Sequence, residues 1–346
     1  MSRSRLAAGA AAALLAAACS SGRRASPTAP PTPSATPAVP ATATPTPTAG
    51  SSPAATEPAR GAGPACRRAT RAEPGASEGM LTTPAGLKRR YLLYLPSAYD
   101  GRQPVPLVLN LHGYGGTPEL QQLYSGLGLV AEEQGFAVAA LEGQGRPLHY
   151  NVRPTRSAGE ESDVRVAGAL VEHLAGTLCL DEDRVYAAGM SNGAALAVTA
   201  ACYDSDRYAA VAAVAALVYD RSCDRGRPVP IVVFRGTGDP IVPYGGGRVR
   251  CCGGPVVNDT KADITGWARH NGCAARPRTT TKGVVVTTHY TGCAGGADVV
   301  LHTVQSGGHT WPGAIAVPGL GNSTGKDELD ASAEIWRFFA DHPRRR

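Results

Sequence analysis

The sequence predicts a doubly wound α/β domain, a mostly parallel sheet with helices packed on both faces. Three observations carry the prediction. Short β-rich apolar runs alternate with longer helix-period segments over residues 80–342. The central runs, such as Pro106-Leu107-Val108-Leu109-Asn110-Leu111, are apolar at successive positions, as strands covered on both faces must be. That stretch is one domain's worth of chain, with enough Val, Leu, Ile and Ala for one sizeable core.

Strands are expected at residues 90–95, 106–111, 136–141, 184–188, 209–214, 230–234 and 299–304, with a further strand pattern at 283–290. Helices are expected at 120–134, 164–178, 194–202, 261–271 and 331–341. In an open α/β sheet the ligand site lies at the carboxyl ends of the strands. The residues that carry chemistry should therefore follow the strand runs directly.

Ahead of the folded part, Arg3 and Arg5 precede an apolar run from residue 6 to 18 that ends at Cys19. A basic start, a short apolar stretch and small residues before a cut site make an export signal, here residues 1–19. The run is too short to span a bilayer as a permanent helix. Leu15-Ala16-Ala17-Ala18-Cys19 resembles a bacterial lipobox with Ala16 in the usual leucine place, so Cys19 is read as lipidated; the alternative is cleavage without lipidation. Residues 20–65 are almost entirely Ala, Pro, Thr, Ser and Gly. Such chain cannot bury enough surface to offset its entropy and reads as a disordered, semi-rigid stalk. The folded domain then spans residues 66–346. The picture is of a domain outside the cell, tethered to the outer face of the membrane through an N-terminal lipid anchor.

The formal charge of +6 suggests a nucleic-acid partner, and its distribution argues against one. Residues 1–71 hold eight arginines and one acidic residue, whereas residues 72–346 hold 26 basic and 27 acidic residues. The folded part is near neutral, so no nucleic-acid partner is expected. No C-x-x-C pair and no H-E-x-x-H occurs, so no metal site is expected.

Gly189-Met190-Ser191-Asn192-Gly193 matches G-x-S-x-G, the sharp strand-to-helix turn that presents a serine oxygen above a sheet. Two other matches occur, at Gly75-Ala76-Ser77-Glu78-Gly79 and Gly321-Asn322-Ser323-Thr324-Gly325. Context separates them. Only Ser191 follows a strand pattern and opens a helix of small residues; Ser77 is placed before the first strand and Ser323 in a late loop. With Ser191 as nucleophile the fold becomes that of the α/β-hydrolases, which place the triad in the order Ser, Asp or Glu, His. Asp239 follows the strand at 230–234, and His309 follows the strand at 299–304 within a glycine-rich loop. The plain structural alternative for Asp239 is an Asx turn before Pro240. His112-Gly113-Tyr114-Gly115-Gly116 follows an early strand and supplies an oxyanion-hole loop. The donors would be the backbone N–H groups of Tyr114 and Asn192, with Gly115 as the alternative to Tyr114. Trp311, two residues from His309, is a candidate substrate-binding wall, ordinary loop packing being the alternative.

His112-Gly113-Tyr114-Gly115-Gly116, Gly189-Met190-Ser191-Asn192-Gly193, Gly236-Thr237-Gly238-Asp239-Pro240 with Val242-Pro243-Tyr244, and Gly308-His309-Thr310-Trp311-Pro312-Gly313, with the ending Ile335-Trp336-Arg337-Phe338-Phe339, resemble the polyhydroxybutyrate depolymerase and feruloyl esterase family. The resemblance covers about residues 80–342. It implies an α/β-hydrolase fold, an extracellular location, no cofactor, and small or oligomeric ester substrates of hydroxyalkanoate or aromatic type. Arg235 departs from the family, whose members often carry His before that Gly. Two rival readings stand beside the esterase, a serine peptidase of the same fold and a catalytically inactive surface binding lipoprotein. No stretch of the chain offers an adsorption module, so soluble esters and oligomers are expected to be preferred over crystalline polymer film.

With Cys19 set aside, eight of the nine cysteines remain, an even set that reads as disulfides in an exported protein. Cys202 ends the nucleophile helix and Cys223 precedes the next strand, which favours Cys202–Cys223. Cys273 and Cys293 bracket a helix end and the strand pattern at 283–290, which favours Cys273–Cys293. Cys66, Cys179 and the adjacent Cys251-Cys252 stay unassigned.

Overall fold

The computed structural model describes residues 72–154, 161–220, 223 and 226–344. The export signal with Cys19, the stalk at 20–65 and Cys66 lie outside the described residues.

The strands are β1 (Gly75–Thr82), β2 (Lys88–Leu95), β3 (Val105–Leu111), β4 (Ala137–Leu141), β5 (Leu180–Met190), β6 (Ala210–Val214), β7 (Ile231–Gly236), β8 (Gly247–Arg248), β9 (Val256–Val257), β10 (Arg278–Lys282), β11 (Val285–Tyr290) and β12 (Val299–Val304). The helices are α1 (Pro118–Ser125), α2 (Leu127–Gln134), α3 (Asp163–Thr177), α4 (Asn192–Tyr203), α5 (Thr260–His270) and α6 (Ala331–Asp341). Ten strands form one sheet in the order β1-β2-β4-β3-β5-β6-β7-β12-β11-β10. From β4 to β12 all neighbours are parallel. β1 and β2 join antiparallel at one edge, β11 and β10 at the other. This is the α/β-hydrolase arrangement the sequence predicts.

The successive apolar positions of the central strands feed two separate cores. Leu107 and Leu109 of β3 face one, and Val108 between them faces the other. The first core takes Leu170 of α3, Leu196 of α4 and Trp267 of α5; the second takes Leu127 of α2 and Ile335 and Phe339 of α6. Tyr186 of β5 stacks on Phe339 with ring centroids 4.5 Å apart. Each fully buried Leu or Phe contributes roughly 1.5–3 kcal/mol, so the sheet is held from both sides. α6 keeps the predicted bounds because Asp330 caps it, its side chain accepting from the N–H groups of Ser332 and Ala333.

Four expectations change. The helix expected at 120–134 is two helices, because Gly126 adopts φ 65° and breaks the backbone between them. β1 and β10 were not expected: both are sheet-edge strands with few apolar residues, GASEGMLT and RTTTK. Ser77 lies inside β1 rather than before the first strand. The short β8–β9 hairpin is likewise new. Cys202–Cys223 and Cys273–Cys293 are bonded as expected, and Cys251 is bonded to Cys252. Cys179 is disulfide-bonded as well.

Candidate active site

Ser191 sits at the turn from β5 into α4 with φ 54° and ψ −115°, a conformation that L-residues rarely adopt. Its N–H donates to Val214 O on the neighbouring β6 at 2.8 Å, which fixes the turn to the sheet. The turn needs Gly193: a Cβ there would lie 2.2 Å from Leu111 O, because the start of α4 presses directly on the end of β3. Backbone strain at one partly exposed serine, wedged between two strand ends, is the feature that separates Ser191 from Ser77 and Ser323. Ser323 donates its hydroxyl to Ala314 O and packs in its own loop.

Asp239 and His309 meet at the ends of β7 and β12, which are parallel neighbours. His309 Nδ1–H donates to Asp239 Oδ2 at 2.8 Å, and both residues are buried. A carboxylate only accepts, so the His309 proton lies on Nδ1 and Nε2 is left as the acceptor. Asp239 Oδ1 also accepts from the N–H groups of Ile241 and Val242, each at 2.8 Å. The turn and the histidine contact are therefore both real, each using one carboxylate oxygen. The two loops approach so closely that a Cβ on Gly236 would lie 2.1 Å from Gly307 O. Burial pushes the Asp239 carboxyl up, but the His309 hydrogen bond, the His309 charge and Arg235 together hold it below its ordinary value.

Arg235, the departure noted in the sequence, is buried beneath this pair. Its Nη1 donates to Ala215 O at 2.5 Å and to Asp239 Oδ2 at 3.2 Å, and its Nη2 donates to Val242 O at 3.0 Å. The guanidinium thus ties two loop segments, at Ala215 and at Val242, to the carboxylate of Asp239.

The loop 112–116 is held by a histidine and a tyrosine. Gly143 N–H donates to His112 Nε2 at 2.9 Å, which puts the ring proton on Nδ1, facing Gly113 O at 2.7 Å. Burial pulls this imidazole down to about 4, so it is neutral at neutral pH and serves as a fastener. Gly115 N–H is committed to Leu148 O at 2.7 Å, whereas among the described residues the Tyr114 N–H has no backbone acceptor. The Asn192 side chain brackets Tyr150, accepting from its N–H at 2.7 Å and donating to its carbonyl at 3.1 Å. The Tyr150 hydroxyl in turn donates to Leu141 O at 2.6 Å and accepts from His112 N–H at 3.3 Å. Tyr150 therefore couples the Ser191 turn to the glycine-rich loop, a role for which the sequence carries no signal.

A cavity of about 430 Å³ opens beside Ser191. Tyr114, Tyr150 and Asn192 line it together with the apolar side chains of Leu217, Val242 and Val249 and the two cysteines Cys251 and Cys252. Asp263, from α5, also lines it. Trp311 does not: it is 1% exposed, packed in the second core, and its Nε1 donates to Ser332 Oγ at 3.0 Å. The sequence expectation of a substrate wall at Trp311 is corrected accordingly. The side chain turns away from the site because the loop around His309 is pinned from below, through Trp311 N–H to the Tyr124 hydroxyl.

The protein family described as "Esterase PHB depolymerase" matches residues 89–241, a segment that contains Ser191 and Asp239. The chain is 32% identical over 252 residues to the putative esterase NocK of Nocardia uniformis subsp. tsuyamanensis, covering 66% of this chain and 72% of that protein. The chain belongs to the polyhydroxybutyrate depolymerase and feruloyl esterase family. It is also 31% identical over 230 residues to feruloyl esterase B of Piromyces equi, covering 64% of this chain but 42% of that relative's length. Among solved structures, the acetyl xylan esterase from Aspergillus awamori superposes with TM-score 0.51 at 14% identity, over 74% of this chain and 99% of that one. A thermostable esterase superposes with TM-score 0.50 at 18% identity, over 78% of this chain and 63% of that one. At such identities these two speak to the fold. The chain thus has the architecture of a serine carboxylesterase of this family; His309 lies beyond the segment that the family model matches and is placed by its hydrogen bond to Asp239.

Proposed function

We propose that the chain hydrolyses carboxylic esters by two-step acyl transfer from Ser191. The observation that carries the reading is the buried, hydrogen-bonded His309–Asp239 pair at the ends of β7 and β12, in the same parallel sheet whose β5 ends in the strained Ser191 turn. His309 Nε2 takes the Ser191 hydroxyl proton as the oxygen attacks the ester carbonyl, then delivers it to the leaving alcohol. Asp239 holds the imidazole with its proton on Nδ1 and balances the charge that forms. Water, activated by the same nitrogen, then releases the acid. The N–H groups of Tyr114 and Asn192 take the developing oxyanion; one such donor is worth about 3–4 kcal/mol.

The cavity's apolar wall and volume suit an aromatic acyl group of feruloyl type or a short hydroxyacyl chain, and the curated relative named feruloyl esterase B agrees with the first. Three disulfides among the described residues favour an oxidising compartment, in line with export and a lipid anchor at Cys19. Release of acid and alcohol from methyl ferulate and from a soluble hydroxybutyrate oligomer tests the reading. Hydrolysis of at least one is expected. Turnover of peptide amides with no ester hydrolysed would replace it.

A further inference from the structure

The bond between Cys251 and Cys252 joins adjacent residues, while the other two described disulfides close separations of 21 and 20 residues. Cross-linking stabilises a fold mainly by constraining the unfolded chain, more for longer loops, and adjacent residues close almost no loop. Stapling therefore gives no reason for this bond. Its position does. Both cysteines line the cavity that holds Ser191, and the ring they form sits at the tip of the β8–β9 hairpin.

The backbone around it is unusual. Cys252, Gly253 and Gly254 follow one another at φ 58°, 79° and 62°, three left-handed residues in a row. Glycine takes that conformation freely; a cysteine does not. The turn is closed by Gly254 N–H to Cys251 O at 2.8 Å and by Arg248 Nη1 to Gly254 O at 2.7 Å. It is anchored to the triad loop by Arg250 N–H to Ile241 O at 2.9 Å. This reversal is what brings Val256 and Val257 back along the cavity wall. The hairpin that carries the ring is thus hydrogen-bonded, next to the ring, to the segment two residues from Asp239.

We infer that the Cys251–Cys252 ring is a selectivity element of the acyl pocket: it fixes the hairpin wall and presents a sulfur face to a flat acyl group. Sulfur is soft and polarisable, and its contacts with aromatic rings are favourable. An acetyl group is too short to profit from such a face. The inference rests on the esterase reading above and adds which side of the pocket reads the acyl group.

The test compares kcat/KM for methyl ferulate and for an acetyl ester of a common alcohol, using the full chain and two double variants. Cys251→Ala/Cys252→Ala removes the ring, and Cys251→Ala/Cys252→Gly removes it while accepting the positive φ, so a folded variant is in hand even if the first misfolds. The ratio of feruloyl to acetyl turnover is expected to fall roughly three- to tenfold, chiefly through KM. An unchanged ratio, or a wild-type non-reducing peptide map in which Cys251 and Cys252 are not bonded to each other, overturns the inference. Wild-type protein inactive on both esters would instead sink the esterase reading itself.

Discussion

Arg235 Nη1 lies 3.2 Å from Asp239 Oδ2, the same carboxylate oxygen that accepts the hydrogen bond from His309 Nδ1–H. A buried guanidinium here neutralises the carboxylate from behind while its remaining N–H groups hold the loops that carry it. In the proposed mechanism Arg235 touches no reacting atom and acts through Asp239, as a positioning residue.

Replacing Arg235 with Gln should therefore cost about 3 kcal/mol of stability, as breaking one side of a buried pair does. Arg235 is one of the groups that hold the Asp239 carboxyl low, so its removal raises that carboxyl and moves the acid limb of the kcat profile to higher pH. Urea unfolding and a pH–rate profile check both. A variant that loses stability but keeps its acid limb would make Arg235 a structural residue only.

His112 supplies a second pH dependence, with the opposite direction to a surface histidine. Its folded-state value is pulled from 6.5 to about 4 by burial, so the unfolded chain binds the extra proton more readily. The stabilisation is present above pH 6.5 and is lost as pH falls towards 4, by up to about 3 kcal/mol. His112→Gln should flatten that part of the stability profile and lower kcat, since the loop carrying Tyr114 loses its fastener. A variant with the wild-type slope between pH 7 and 4 would contradict the assignment.

Asp263 works the other way. It lines the cavity at 2% exposure, and burial pushes its carboxyl from 3.8 to about 6. The folded state therefore holds the proton more tightly, and the stability this contributes is complete below pH 3.8 and gone above pH 6. Asp263→Asn, which keeps the shape, should raise the melting temperature at pH 8 relative to wild type and give little gain at pH 4. Equal gains at both pH values would show that ionisation is not involved.

The sequence was legible where burial leaves a periodic trace and illegible where a residue acts through shape. Val105–Leu111 and Val299–Val304 read as strands because both faces meet a core. β1 and β10, solvated at the sheet edges, leave no such pattern. Ser191 stood out because a strand before it and small residues after it can form one kind of turn. Tyr150 could not, since its role depends on a loop folding back to meet Asn192. Trp311 misled because nearness in sequence to His309 says nothing about the side of the loop it faces; its ring lies in the core. Arg235 was visible as a departure, but its meaning required seeing which carbonyls surround it.

The most direct measurement of the central claim is labelling of the purified protein with a fluorophosphonate, followed by peptide mapping alongside ester hydrolysis. The label should map to the peptide containing Ser191. Ser191→Ala should lose it and lower kcat by at least about 10⁴-fold, with the melting temperature little changed. Ser77→Ala and Ser323→Ala should label and turn over like wild type. A label on Ser323 or Ser77, or Ser191→Ala protein that still hydrolyses ester at the wild-type rate, would contradict Ser191 as the nucleophile and the site built around it.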